Sequence, residues 1–282
     1  MSLKNYLQMA YREARLTSKA DLDTFQHLEG TLRRDHENLI LVYGGSFNPP
    51  HRGHLDVLLS GLRPEVTAVA IVVLPSEDFH LRHKVANSHP DFFLRMERRA
   101  DLWSAIPSVP EVKVWIWTST WYPFKTFNEA LIRLTKEDGF KLAFAHMIGP
   151  DNVDLRNPLA NYPYELPTML ITNKARHVAA HFRPDGKPAI WNGFGEWSRC
   201  SRNAGYDDLK SDQPDVVLWT CRGIGDCNAE KRGYYLQFAD FASVDINSTN
   251  LRGSLLKTHH LDEQRLNQLS IKALLEMLAS VL

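Results

Sequence analysis

The chain has 282 residues, of which 44% are hydrophobic, and its equal numbers of acidic and basic side chains give a formal net charge of zero. This length and composition are typical of a soluble globular protein, with enough apolar material for one large α/β domain or two small ones. Because no long basic run is present, the charge does not indicate general nucleic-acid binding, and any anion site has to be local.

The first predicted element is an amphipathic helix near the N-terminus, whose apolar residues recur at helical spacing: Leu3, Leu7, Ala10, Tyr11 and Ala14. We interpret residues 1–38 as an N-terminal helical extension that packs on the domain. A mitochondrial presequence is the alternative, and the acidic residues Glu13, Asp21 and Asp23 argue against it. Residues 39–43 form an apolar run that predicts a buried strand.

Strand-like and helix-like segments then alternate along the chain. Helices are predicted for residues 55–62, 91–105 and 127–136, and strands for residues 66–74, 112–117, 141–148 and 168–172. This alternation predicts an α/β fold with a doubly wound, Rossmann-like parallel sheet and helices on both faces. In such sheets ligands bind outside the carboxyl ends of the strands, so we expect the loops that follow these strands to build one site.

The periodicity fails between residues 174 and 235, which are rich in Gly, Asn, Asp and Trp. This segment is long for a connection inside a compact domain, so we interpret residues 174–235 as an insertion or a cover, with one strand at residues 216–219. Helical patterns follow at residues 249–257 and 262–282. We interpret residues 1–282 as a single domain.

The most informative stretch is residues 44–54, which read Gly-Gly-Ser-Phe-Asn-Pro-Pro-His-Arg-Gly-His and directly follow the first predicted strand. Two glycines at a strand end let the backbone turn sharply and approach a ligand, and the prolines stiffen the loop before a helix that should begin near Gly53 or His54. The N-terminus of that helix favours an anion. His51 and His54 can both donate to the same oxygens, so the stretch predicts a phosphate site.

The same stretch resembles the signature of the nucleotidyltransferase superfamily with the HxGH motif, and it looks most like that of the nicotinamide- and nicotinate-mononucleotide adenylyltransferases. A second resemblance lies in residues 245–252, Asp-Ile-Asn-Ser-Thr-Asn-Leu-Arg. The family ends its catalytic domain with Ile-Ser-(Ser/Ala)-Thr-x-(Ile/Leu)-Arg, and Asn247 replaces the usual first Ser. Alone, Ser-Thr-x-x-Arg is typical of any capped helix. Two motifs in the family's order identify it more strongly than either one.

The resemblance implies an adenylyltransferase that joins ATP to a pyridine mononucleotide and releases pyrophosphate, with Mg²⁺ bound mainly through the ATP phosphates. It implies three catalytic residues: His54, His51 and Arg252. It implies ATP contacts at Gly45, Ser46, Phe47, His51, His54, Gly149, Asp151, Ser248, Thr249 and Arg252. For the mononucleotide it implies contacts at Ser46, Phe47, Lys84, Arg95 and Trp121.

Two departures from the family keep other functions open. The usual Trp-Glu pair is not reproduced around Trp121, and Asn247 departs from the second motif. A pantetheine-phosphate adenylyltransferase or a cytidylyltransferase shares the first motif. From a different class, a nucleotide-binding regulator without transferase activity is the alternative, against which the intact His51, His54 and Arg252 argue.

The cysteine usage bears on the compartment. Cys200, Cys221 and Cys227 form neither an even disulfide framework nor a paired CxxC metal pattern, which suits a reducing environment. The N-terminal residues lack the apolar segment of a secretory signal, and no stretch of about 18 apolar residues predicts a membrane span. We therefore expect an intracellular protein, cytoplasmic or nuclear, with neither a membrane nor a nucleic-acid partner. A homo-oligomer is left open.

Overall fold

The computed structural model describes residues 2–14, 16, 27–159, 166–176, 178–200, 215–239, 248–259 and 262–279. Its strands are β1 (Glu37–Gly45), β2 (Ala68–Pro75), β3 (Val114–Ile116), β4 (Lys141–Ile148), β5 (Thr168–Thr172), β6 (Ser198–Arg199), β7 (Val216–Arg222) and β8 (Arg232–Phe238). They form one eight-stranded sheet in the order β3-β2-β1-β4-β5-β8-β7-β6. The first six strands in that order are parallel neighbours, and β7 and β6 join antiparallel.

The described α-helices are α1 (Leu3–Glu13), α2 (Arg52–Gly61), α3 (Asp78–Val85), α4 (Met96–Ala105), α5 (Trp121–Glu137), α6 (Ser248–His259), α7 (Glu263–Gln268) and α8 (Ile271–Leu278). Within the described ranges, no helix is both long enough and apolar enough to cross a membrane.

Strand β1 shows why the sheet carries helices on both faces. Successive side chains of a strand point to opposite faces, and Leu39, Leu41 and Tyr43 pack with residues of α2 and α4. Ile40 and Val42 pack with residues of α1 and α5 on the other face. Because both faces of the strand are covered, its sequence is a continuous apolar run. The prediction of a doubly wound α/β sheet is confirmed.

The strand order reverses at β1, since β2 lies on one side of it and β4 on the other. Connections leave in opposite directions at such a switch point, and a crevice opens between the carboxyl ends of the two strands. The loop after β1, residues 44–54, therefore lies beside the loop after β4.

Several helix boundaries differ from those predicted. Helix α5 begins at Trp121 rather than near residue 127, because the first turn of a helix tolerates Pro123. Helix α3 was not predicted, since it buries only Leu81 and Val85 and so has almost no amphipathic pattern. Helix α4 begins at Met96 rather than residue 91.

The C-terminal helical pattern is also interrupted. One helix was predicted for residues 262–282, but the described part is two helices, α7 and α8. Ser270 caps the N-terminus of the second, where its side chain accepts a hydrogen bond from the N–H of Ala273. A serine at this place caps a new helix instead of continuing the old one.

The described parts of residues 174–235 extend the sheet. The predicted strand at residues 216–219 is confirmed as part of β7, which pairs with β8 in an antiparallel hairpin. Trp191, Phe194 and Trp197 form a separate apolar cluster with residues of β7 and β8. The segment's aromatic residues thus supply a small core of their own.

Candidate functional site

A cleft of about 550 Å³ opens at the carboxyl ends of β1 and β4. Its lining includes the loop after β1, the start of α2, the loops after β4 and β5, and the start of α6. Ten of the predicted site residues line it: Gly45, Ser46, Phe47, His51, His54, Lys84, Gly149, Asp151, Thr249 and Arg252. Residues from both ends of the chain thus meet at the switch point.

The loop after β1 folds back tightly on itself. A Cβ at Gly45 would lie 2.7 Å from the Phe47 ring, so only glycine fits there. Phe47 has a left-handed backbone with φ +46°, and its buried ring packs edge-on against Tyr43 and Trp103. Buried Asn48 holds the loop from the other side, donating to the Phe92 carbonyl and accepting from the Leu94 N–H. These contacts leave the loop little conformational freedom.

The two motif histidines lie against each other at the N-terminus of α2. The helix begins at Arg52 with His51 preceding it, slightly earlier than predicted. The ring centroids of His51 and His54 are 3.8 Å apart, and the Phe47 ring packs edge-on to His54. His54 is partly exposed to the cleft, whereas its Nδ1 is buried without a hydrogen-bond partner in the structure.

Burial keeps both imidazoles neutral at pH 7. Burial, together with repulsion from Arg176 and Arg252, lowers the pKa of His51 to about 4. Burial, His51 and Lys84 hold the pKa of His54 well below its usual value. Because an anion would favour the charged form, a ligand phosphate would raise both pKa values. The pair can therefore donate hydrogen bonds and take up charge when an anion arrives.

Arg252 joins the C-terminal motif to the loop after β1. The residue is 5% exposed, and its guanidinium donates to the Asn48 carbonyl at 3.2 Å and to the Thr249 hydroxyl at 3.1 Å. Its Nε is buried without a hydrogen-bond partner in the structure. Helix α6 begins at Ser248, whose side chain lies outside the described residues, as do residues 245–247.

The charged side chains of the lining are mostly basic. Lys84 donates to the Ser46 hydroxyl at 3.2 Å, and partial desolvation together with Arg252 lowers the pKa of this lysine. Arg176 lies 3.8 Å from Asp151. Among the described lining residues there are three such basic side chains and one carboxylate, so the cleft is suited to a ligand with several negative charges.

Two predicted site residues lie outside this lining. Trp121 is half-buried at the start of α5, with its ring 5.4 Å from that of Phe124. Its backbone N–H lies 3.4 Å from the Glu77 carboxylate. Arg95 is exposed, and its backbone N–H donates to Asn267. The structure therefore does not bring these two residues together with the other ten.

Three residues of the site were not identified from the sequence. His146 and Arg176 line the cleft, and Arg99 lies behind it with hydrogen bonds to loop carbonyls. His146 could have been noticed as the one polar side chain inside the apolar end of β4. Arg176 follows a predicted strand end by only a few residues. Arg99 gave no signal, since a charged residue in a helix is usually solvent-exposed.

Comparison with known proteins gives matches among solved structures but none among curated proteins. Two solved structures of the nicotinic acid mononucleotide adenylyltransferase of Plasmodium falciparum, one complexed with APC and the other with NaAD, are similar with 15% sequence identity and a TM-score of 0.32. In each match the similarity covers 48% of this chain and 64% of the solved chain, which is less than two thirds of its length.

A protein-family model gives a match that includes much of the cleft. The model is described as cytidylyltransferase-like, and it matches residues 42–152, from the end of β1 to the loop that holds Asp151. This stretch contains the histidine pair at the start of α2. Residues 42–152 are therefore similar to a cytidylyltransferase-like domain.

Proposed function

We propose that the protein transfers the adenylyl group of ATP to nicotinamide or nicotinate mononucleotide, forming NAD or its deamido form and releasing pyrophosphate. One observation carries the proposal: the neutral pair His51 and His54 meets the buried Arg252 in a basic cleft at the switch point of the sheet. The resemblance of both sequence motifs to adenylyltransferases supplies the substrate.

The proposed reaction needs no nucleophile from the protein. A phosphate oxygen of the mononucleotide attacks the α-phosphorus of ATP, a new P–O bond forms, and the bond to the bridging oxygen breaks with release of pyrophosphate. Catalysis then depends on holding two anions in line and on neutralising the charge that spreads over the transferring group. A rigid loop with basic side chains around it is suited to both tasks.

We assign the proposed roles from the resemblance, together with the positions of the residues. His54 would stabilise the charge at the α-phosphate and His51 would hold the α- and β-phosphates, because both lie at the N-terminus of α2. Arg252, with Ser248 and Thr249, would hold the β- and γ-phosphates. Backbone groups of Gly45, Ser46 and Phe47 would contact both substrates, and Gly149 and Asp151 would contact the nucleoside.

For the mononucleotide, Lys84 is the strongest candidate for the phosphate, since its ammonium lies beside Ser46 in the cleft. The proposed contacts of Trp121 with the pyridine ring and of Arg95 with the phosphate rest on the resemblance. For these two contacts the substrate would have to extend beyond the cleft lining, toward the start of α5 for Trp121 or of α4 for Arg95.

The residues present fit a Mg²⁺ ion that arrives with ATP. Asp151 is the one carboxylate among the described lining residues, and no cluster of three or more His, Cys, Asp or Glu suited to a metal occurs in the described part of the chain. Mg²⁺ binds oxygen ligands and is often held mainly by substrate phosphates. The bound ion would neutralise phosphate charge.

The direct test is a product assay. The protein is incubated with Mg²⁺-ATP and, separately, with nicotinamide or nicotinate mononucleotide, and the dinucleotide and pyrophosphate are measured. We expect a dinucleotide from at least one mononucleotide, with pyrophosphate in equal amount. Binding of ATP without product from either one would contradict the proposal and favour a regulator.

The cytidylyltransferase-like family model favours one second candidate, transfer of a cytidylyl group from CTP. The same assay with CTP in place of ATP separates the two. Turnover of CTP at a higher kcat/KM than ATP would establish this alternative for the nucleotide.

A variant of Arg252 tests its proposed contact with ATP. We expect Arg252→Lys to weaken ATP binding about tenfold, since a lysine cannot reproduce a planar fork that bridges two phosphates, and one such charged hydrogen bond contributes about 1.5–3 kcal/mol. Calorimetric titration with ATP measures the change. If Arg252→Ala loses affinity while Arg252→Lys retains it, a point charge suffices and the bidentate contact is wrong.

A further inference from the structure

Arg99 is a fully buried arginine on α4 that belongs to neither sequence motif. Its guanidinium donates to the carbonyl of Ser46 at 2.7 Å, to the carbonyl of Ser76 at 2.6 Å and to the Asp78 carboxylate at 2.9 Å. Its Nε donates to the Leu94 carbonyl at 2.9 Å. One side chain thus connects the loop after β1, the loop after β2 and the first residue of α3.

The bond to Ser46 fixes the direction of a backbone donor. The Ser46 carbonyl and the Phe47 N–H belong to one planar trans peptide unit, so they point in opposite directions. Since Arg99 holds the carbonyl oxygen from the protein interior, the N–H of Phe47 points away from Arg99. Ser46 and Phe47 both line the cleft.

The same side chain also relates the loop to Lys84. Asp78, which accepts from Arg99, begins α3, and Lys84 lies in the last turn of that helix with its ammonium on the Ser46 hydroxyl. One buried guanidinium therefore contacts both the loop that contains the Phe47 N–H and the helix that carries Lys84. A lysine at position 99 would keep the charge but could not span the Ser46 and Ser76 carbonyls in the fixed geometry of the guanidinium fork.

We propose that Arg99 is a positioning residue for anion binding: it orients the Ser46–Phe47 peptide so that the Phe47 N–H donates to a phosphate oxygen in the cleft. This inference rests on the proposed function in requiring a phosphate ligand, and it adds the residue that orients one of the proposed backbone donors. The fixed orientation removes the conformational cost of turning the peptide when the ligand binds.

The first test uses the wild-type protein and inorganic pyrophosphate. The chain has 13 phenylalanines, so labelling with ¹⁵N-phenylalanine gives a simple amide spectrum, in which the Phe47 signal is assigned by its loss in Phe47→Leu. We expect pyrophosphate to shift the Phe47 amide downfield and to leave Phe194, in the apolar cluster beyond β5, unchanged. An unmoved Phe47 signal at saturation, or no binding of pyrophosphate, would overturn the proposal.

The second test compares two arginines of one helix. Arg98, next to Arg99 on α4, donates to the Leu269 carbonyl near the C-terminus rather than to the loops. We expect Arg99→Lys to weaken the binding of pyrophosphate and of ATP at least tenfold, and Arg98→Lys to change it by less than twofold, at a temperature where circular dichroism shows both variants folded. Equal affinities would overturn the positioning role. If Arg99→Lys does not fold, the wild-type amide shift decides.

The two tests distinguish this inference from the proposed function. If the wild-type protein binds pyrophosphate through Phe47 but makes no dinucleotide, the role of Arg99 stands and the proposed reaction is contradicted. If the wild-type protein makes dinucleotide and Arg99→Lys binds ATP as tightly as the wild type, the proposed reaction stands and the role of Arg99 is contradicted.

Discussion

The cleft and the antiparallel extension at the far edge of the sheet bury different kinds of side chains. The cleft buries His51, and Arg252 beside it, where desolvation opposes their charged forms. The extension buries aromatic rings, with Trp191 and Trp197 packed edge-on at 4.9 Å. Burying a titratable or charged group costs free energy unless a partner compensates, whereas burying a tryptophan is favourable.

From this comparison we expect the proposed activity to depend on the cleft and stability to depend on the extension. The connections that follow β1 and β4 leave the switch point in opposite directions, and the crevice between them gives the polar groups there room for a ligand. Strands β7 and β8 are joined as an antiparallel pair, and the side chains on one face pack against the tryptophan cluster. Four predictions test this separation.

The largest expected effect is on stability, at Trp191. This tryptophan is 1% exposed and contacts the rings of Phe194 and Trp197. We expect Trp191→Ala to lower the free energy of unfolding by about 3–5 kcal/mol, the usual range for deleting a large buried ring. Urea denaturation measures this, and kcat of the folded fraction should stay at the wild-type value. A loss of kcat without a loss of stability would contradict the expected separation of the cleft from the extension.

The next effect is on catalysis, at His54. We expect His54→Ala to lower kcat about 10²-fold or more, because one preorganised donor at a developing charge contributes an effect of that order. Its thermal stability should be equal to or higher than that of the wild type, since a buried imidazole without a partner at Nδ1 is removed. A kcat near that of the wild type in the folded variant would exclude a catalytic role.

The third effect is the pH dependence of stability caused by His51. Its pKa is about 4 in the folded state against 6.5 when unfolded, so the unfolded chain binds more protons between these values and stability falls as the pH falls. From pH 7 to pH 5 the loss from this group is about 2 kcal/mol, at about 1.4 kcal/mol for each pH unit below 6.5. Urea denaturation at both pH values measures it.

His51→Gln provides the control for that measurement, because an amide does not titrate. We expect the variant to lose less stability than the wild type between pH 7 and pH 5. The same pH dependence in both proteins would assign the effect to other buried groups, of which His146, with its pKa lowered to about 3 by burial, is the first to consider.

The smallest expected effect is on the KM for the mononucleotide, and it distinguishes Trp121 from Trp115. We expect Trp121→Ala to raise the KM for the mononucleotide about tenfold with little change for ATP, since tenfold is about 1.4 kcal/mol and one stacking contact contributes about 0.5–1.5 kcal/mol. Trp115→Phe is the control, since Trp115 is buried in the sheet and should affect stability alone. If Trp121→Ala lowers only stability, Trp121 belongs to the core together with Phe124.

The sequence predicted the fold because its signals are local. Apolar runs at β1, β2 and β4 alternate with helical patterns, and a strand buried on both faces is apolar at nearly every position. Helix α3 and the start of α5 were missed because one carries almost no amphipathic pattern and the other has a proline in its first turn. Both are short-range ambiguities that neighbouring segments resolve by packing.

For the site, the sequence by itself determined the loop after β1, because residues 44–54 are contiguous and their glycines, prolines and histidines each have a local backbone reason. Only the tertiary structure decided which distant side chains join that loop. Arg99 and Arg176 reach it from α4 and from the end of β5, whereas Trp121 lies outside the lining. Contacts between residues far apart in the chain depend on strand order and helix packing, which no local pattern encodes.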